Sequence, residues 1–389
     1  MIHVLHRTPR TPRTTRSHPV HGVRRRPVRS LALLAAGGLI VAACGGGGGD
    51  EESAVTTTEA PAPTTTEAAV TSTTSAPTTT ATADTDTPTT VAEAGPTFAL
   101  TGLPLTDEAL AARPALVAKI DNHPQARPQF GLNRADIVFE ENVENLTRFA
   151  AVFHSQDPGR IGPIRSGRTQ DVDLLGSFSE PLFVWSGGNP AVTRAINDSD
   201  LVGLSPSTTR NVGFFRDQRP GVDREHTLFG TTTEFWMNFT PIFNPPPTPQ
   251  FEYRAPDEAF NGEQASGVEL EMDGLDVRWT WDRDNAAYLR EQDGEPHFDD
   301  LGQVNTQNVV VLEVEYRPSP ADSRSPEAQT IGTGTAYVFT GGALIRGTWT
   351  RDDRTQPFTL TDENGSVIAL TPGRTWVELP RIGNTTPLT

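Results

Sequence analysis

A chain of 389 residues with 32 basic and 49 acidic side chains has a formal charge of -17. At long range such a surface repels polyanions, which excludes a nucleic-acid partner and leaves room only for a local, arginine-lined anion site. The length is that of about two or three domains, and a single cysteine, Cys44, excludes any disulfide within the chain.

The charge is unevenly spread. Residues 1–44 hold eight arginines and no acid, and residues 45–97 hold eight acids and no base. Behind Arg24-Arg25-Arg26, the apolar run from Leu31 to Ala43 reads as an export signal, too short and too poorly flanked for a stable spanning helix. Its ending, Val41-Ala42-Ala43-Cys44, resembles a bacterial lipobox, in which the cysteine is lipidated and becomes the mature N-terminus. The expected product is an exported lipoprotein, held through Cys44 on the outer face of the cytoplasmic membrane. Residues 45–97, behind Cys44, are Gly, then Thr, Ala, Pro and Glu, with almost no large apolar side chain. They cannot bury a core and read as a disordered tether. As a coil its roughly 50 residues span on the order of 40 Å, and about 150 Å when stretched toward polyproline II.

Folded sequence is expected from Phe98. Apolar runs predict strands at Ala115–Ile120, Ile137–Phe139, Leu146–His154 and Pro181–Trp185. After the last of these, Ser186-Gly187-Gly188 makes a turn, Asn189 an N-cap and Pro190 the first residue of a helix to Ile196. Helices are also expected at Asp171–Leu175 and about Thr231–Phe239. Strands interleaved with short helices predict an α/β or α+β domain over 98–250. The stiff run Asn244-Pro245-Pro246-Pro247-Thr248-Pro249 reads as a domain boundary. Beyond it a hairpin (Val277–Trp281 with Ala287–Arg290) is followed by strand-like runs at 309–315, 337–340, 343–349, 358–360 and 375–379. Turns of Gly, Asn and Asp between them predict a mostly antiparallel, β-rich domain over 251–385.

Several ordered motifs carry a resemblance: Ile120-Asp121-Asn122-His123-Pro124, Arg127-Pro128-Gln129, Ala135-Asp136-Ile137-Val138-Phe139-Glu140, Gly162-Pro163-Ile164-Arg165-Ser166-Gly167-Arg168, Ser186-Gly187-Gly188 and Glu225-His226-Thr227-Leu228. With Tyr288-Leu289-Arg290 and Pro372-Gly373-Arg374-Thr375-Trp376 they resemble the YerB-like bacterial lipoproteins over nearly all of 98–380. The resemblance implies a two-part domain of unknown function on a lipid anchor that carries two or three acyl chains. The chain departs from the family pattern at Gly167, where an alanine is expected.

The strongest candidate chemistry is the arginine cluster Arg148, Arg160, Arg165 and Arg168. Guanidinium forks suit carboxylate and phosphate, and Arg165 and Arg168, one helical turn apart, can face one ligand with Ser166 beside them. The bland alternative pairs these arginines with Glu140, Glu141, Glu144, Asp171 or Asp173. Gly187, Gly188 and Asn189 outline a backbone anion nest, although a Gly-Gly turn at a strand end is more often only a turn. His226 is the best candidate acid or base among His123, His154 and His226. No His pair has a metal spacing, and the carboxylates Asp121, Glu140, Glu141 and Glu144 are read as surface or arginine partners before a cation site. Ser166 lacks a Gly-x-Ser-x-Gly elbow and is a weak nucleophile candidate. The sequence assigns no cofactor, no metal and no oligomeric state. The reading is an envelope lipoprotein that binds an anionic envelope component, or an envelope protein, through an arginine-lined cleft. The alternatives are a hydrolase or transferase acting on wall glycopolymer or peptide, and a scaffold or regulator of a wall synthase with an exposed apolar patch.

Overall fold

The computed structural model describes residues 95–389, apart from 256, 257 and 259. The expected signal, Cys44 and most of the tether lie outside the described residues. The main sheet uses β1 (Leu116–Asp121), β2 (Ile137–Val143), β3 (Leu146–Phe153), β4 (Leu182–Val184) and β5 (Val202–Leu204) from the first half of the folded chain. The second half supplies β6 (Asn308–Leu312), β7 (Gly332–Thr340), β8 (Ala343–Arg351), β9 (Thr359–Asp362) and β10 (Thr375–Leu379). Their order is β9-β8-β7-β6-β10-β2-β3-β1-β4-β5, with Glu263–Gln264 on the side of β8. Most neighbours are antiparallel, but β10 runs parallel to β2 and to β6, and β4 runs parallel to β1 and to β5.

Segments 98–250 and 251–385 are therefore not two separate sheets. β10, from the end of the chain, is hydrogen-bonded between one strand of each half. The mostly antiparallel character of the second half holds, in β6–β9 and in a second sheet of Gly267–Glu271, Asp276–Asp282, Ala287–Gln292 and Thr385–Leu388.

The side-chain period of two gives the main sheet two apolar faces. Leu116, Ala118, Ile120, Val138, Phe149, Val309 and Trp376 pack with Val268, Val277, Trp279 and Tyr288 of the second sheet. Val117, Phe139, Val152, Phe183, Val310 and Val377 face the other way, with Leu174 of helix α1 (Gln170–Leu174) and Val192 and Ile196 of helix α2 (Pro190–Asn197). Each large apolar side chain so buried contributes on the order of 1.5–3 kcal/mol. Helix α2 starts as its sequence requires: Asn189 Oδ1 accepts from the backbone of Ala191 and Val192, both at 2.9 Å, and Pro190 follows the cap.

Candidate functional site

The arginine stretch lies across the C-terminal ends of the parallel pair β1 and β4. Ile161 pairs with Gly230, Ile164 bridges Ile120, and Arg165 donates its backbone N–H to the Lys119 carbonyl at 2.8 Å. On the other side Ser186 donates to the Arg165 carbonyl at 2.9 Å, and Gly167 to the Gly187 carbonyl at 3.2 Å. A Cβ at Gly167 would come within 2.9 Å of Ile196 Cδ1 and Trp185 Cε3. The residue that departs from the family pattern is thus closely packed in this chain, and the segment lies tight against the strand end.

From this segment Arg165 reaches Asp121 at the end of β1. Its Nε lies 3.3 Å from Asp121 Oδ2, and its Nη2 donates to Glu225 Oε1 at 3.0 Å. His226 Nδ1 is 2.6 Å from the same Asp121 oxygen, within a buried contact. A carboxylate can only accept, so this contact places a proton on Nδ1 and leaves Nε2 on the side of Glu225. Nε2 is 3.6 Å from Glu225 Oε1, so one half-exposed carboxylate sits between Arg165 and His226. His123 stacks on His226 with ring centres 4.2 Å apart. Burial, and after it His226, hold the His123 pKa below its ordinary value.

Arg148 enters from β3, opposite Asp121 in the register. It is buried, and its Nη1 donates to the Ser166 carbonyl at 3.1 Å. Among the described residues no carboxylate lies within ion-pairing distance of it. Burial draws its pKa down to about 10, and the neighbouring charge of Arg168 acts in the same direction. Arg168 pairs with Glu144, and its backbone N–H donates to Asp171 Oδ2 at 2.7 Å. Beneath them Lys119 is fully buried between Glu141 and Asp171 Oδ1 (2.7 Å to the latter). Burial lowers its pKa to about 8, against the opposing pull of Asp171.

Arg148, Arg165, Arg168 and His226 thus belong to one neighbourhood, with Ser166 between the arginines. Ser166 offers its carbonyl to Arg148. Its hydroxyl lies 3.5 Å from that of Ser186, and among the described residues no base is hydrogen-bonded to it. Arg160 does not join them. Its guanidinium lies over Phe130 (3.8 Å) and Phe229 (4.2 Å) and pairs with Asp217 at 2.5 Å. Asn189 spends its side-chain oxygen on the helix cap, so the turn meets the arginines only through Ser186 and Gly187 backbone.

His154 lies apart, its Nε2 3.2 Å from the Ala111 carbonyl. Glu140 belongs to a separate buried network: both its oxygens accept from Arg290 Nη2 at 2.8 Å, and it lies opposite Glu378 where β2 meets β10. Trp279 Nε1 donates to Glu378 at 2.7 Å. Among the described residues no group of three or more His, Cys, Asp or Glu side chains is placed to hold a metal ion.

The sequence reading missed Lys119 and Glu225. Lys119 did carry a signal: it is the only lysine, and it interrupts a run that otherwise reads as a buried strand. A charge there requires buried partners.

Two family models match the chain. The N-terminal domain of a protein of unknown function, DUF3048, matches residues 100–241, and the C-terminal domain of the same family matches residues 268–377. The chain belongs to the YerB-like family. A relative from Bacillus subtilis (strain 168), "Putative lipoprotein YerB", is 27% identical over 289 residues, covering 72% of this chain and 85% of its own length. The crystal structure of YerB from Bacillus subtilis superposes with a TM-score of 0.65 at 23% identity, over 75% of this chain and 99% of that one. The family's N-terminal model spans every arginine and histidine of the site, and Arg290 falls within its C-terminal model.

Proposed function

We propose that the protein is a cell-envelope lipoprotein, anchored through Cys44 on the outer face of the cytoplasmic membrane. Its folded part would bind an anionic envelope component at Arg148, Arg165 and Arg168. The anchor rests on the signal-like run that ends at Cys44 and on kinship with a protein named as a lipoprotein. Palmitate labelling of the protein expressed in its host should be lost in Cys44→Ser, which should also leave the membrane fraction; retention of label would sink the anchor.

The observation that carries the binding reading is Arg148, a buried guanidinium with a backbone carbonyl as its acceptor and no carboxylate within ion-pairing distance among the described residues. Burying a charge without a partner is costly, and an incoming anion would relieve that cost. Arg165 and Arg168 are held by the partly exposed side chains of Glu225 and Glu144. Exposed ion pairs of this kind contribute about 0–1 kcal/mol, so a ligand phosphate or carboxylate could take the place of either. Beside Glu144 opens a groove of about 310 Å³ that also carries Arg317, Arg324 and Arg381, each already paired with a carboxylate, Glu315, Asp322 and Asp273.

The test is a thermal-shift series with inorganic phosphate, short acidic peptides and wall fragments. A ligand at about 100 times its dissociation constant should raise stability by about 2.7 kcal/mol. The shift should vanish in Arg148→Ala and grow in Glu225→Gln, where the competing carboxylate is gone. No shift with any probe, or a shift that Arg148→Ala leaves intact, would overturn this reading.

A second reading, an enzyme acting on wall glycopolymer or peptide, is favoured by the His226–Asp121 contact, because an anion in the place of Glu225 would lie beside His226 Nε2. Turnover of wall fragments that His226→Gln abolishes, with binding retained, would decide for it.

A further inference from the structure

On the other side of the 122–127 segment lies a cavity of about 340 Å³ that the arginine site does not use. Its lining combines Arg127 and Pro128 from the first half with Gln292, Glu295, Pro296, His297 and Phe298 from the second.

The polar groups on this lining are unevenly satisfied. Gln292 is 3% exposed, and its Oε1 accepts from Asn122 Nδ2 and from Arg290 Nη1, both at 2.9 Å. Two donors on that atom fix the amide orientation, so the amide that remains buried without a partner is Nε2, a donor. Arg127 Nη2 donates to the Asn122 carbonyl at 3.1 Å, while its Nε has no partner. Among the described residues Arg127 has no carboxylate within ion-pairing distance. His297 is already committed: Nδ1 accepts from Arg290 Nη1 at 2.7 Å, which leaves Nε2–H to donate to Gln129 Oε1 at 2.9 Å. Pro128, Pro296 and the half-exposed Phe298 form an apolar wall, and the exposed Glu295 is the single carboxylate on the lining.

We infer that this cavity is a second binding site, for the carboxylate of an amino acid with an apolar side chain. A carboxylate has only acceptors, and the Arg127 guanidinium on the lining is the cation it would meet, since among the described residues no carboxylate pairs with it. The prolines and Phe298 would cover the side chain. The ligand could be the last residue of a peptide or a free amino acid, and Glu295 separates the two, because it would favour the ammonium group that only a free amino acid carries.

Calorimetric titration of the purified full chain in detergent distinguishes them, with N-acetyl-phenylalanine, phenylalanine and N-acetyl-phenylalanine amide as probes. N-acetyl-phenylalanine should bind saturably and the amide about tenfold more weakly or not at all. Tighter binding of phenylalanine, reversed in Glu295→Gln, would assign the site to free amino acids; preference for the acetylated probe would assign it to peptide ends. Arg127→Gln should weaken binding about tenfold or more, Phe298→Ser should weaken it with the melting temperature unchanged, and Arg148→Ala should have no effect. The proposal is overturned by equal binding of acid and amide, by no saturation up to about 10 mM of either acid, or by a folded Phe298→Ser that binds as the parent does.

Discussion

Lys119 shows how one residue fixes the geometry of its neighbours. An ammonium inside a sheet must be paired, and the two carboxylates that pair it come from different elements: Glu141 from β2 and Asp171 from helix α1. The second oxygen of Asp171 accepts the backbone N–H of Arg168, so the buried lysine sets where the arginine segment enters the helix. His154 is buried without such help. Its pKa falls to about 4, chiefly through burial, against an ordinary value of 6.5. Between pH 6.5 and about 4 the unfolded chain therefore takes up a proton at this residue and the folded chain does not, so folding weakens as the pH falls through that window. His297 acts in the same direction. The loss from His154 should be about 2–3 kcal/mol by pH 4. Chemical denaturation of the parent and of His154→Gln at pH 7 and pH 4 checks this: the parent should lose more stability by about that amount. Equal losses in both would contradict it.

At the scale of elements, the apolar runs locate strands well because a strand buried on both faces must be apolar along its length. Residues 115–120, 146–154 and 375–379 were expected as strands, and β1, β3 and β10 lie at 116–121, 146–153 and 375–379. A run does not say who its partner is. Nothing in Thr375-Trp376-Val377-Glu378-Leu379 reveals that it pairs in parallel with Ile137–Glu141 on one side and Asn308–Val311 on the other. Arg165 and Arg168 do not share a helical turn, because the helix starts only at Gln170: Arg165 reaches Asp121 and Glu225 while Arg168 reaches Glu144. Arg148 was legible as a charge within a strand-like run. Arg160 was misread as part of the same surface. Between Arg160 and Arg165 the chain passes through Gly162 at φ +133, a conformation that L side chains rarely adopt, and the turn sends Arg160 to the aromatic side with Phe130 and Phe229. The pairing of His226 with Asp121, 105 residues apart, had no local signal at all.

For the whole molecule, the seam between the halves decides how it unfolds. β10 shares backbone hydrogen bonds with both β2 and β6, and the Arg290–Glu140 pair ties the second sheet to the main one in a fully buried contact. Burial, with Glu140 next to it, raises the Glu378 pKa well above the carboxylate range. Burial thus favours the protonated form of Glu378, and the seam sets two facing carboxylates, Glu140 and Glu378, against the one guanidinium of Arg290, which is paired with Glu140. Two consequences can be measured on residues 95–389. Heat should unfold both halves in one transition, with calorimetric and van't Hoff enthalpies in agreement; two resolved transitions would mean that the halves are independent despite the shared sheet. Arg290→Met should cost about 3–5 kcal/mol, because it leaves Glu140 buried without its partner. Glu378→Gln, which keeps the shape and removes a carboxylate whose charged form burial disfavours, should cost about 1 kcal/mol or less. A large loss in Glu378→Gln together with a small one in Arg290→Met would contradict the view that the Arg290–Glu140 pair holds the seam.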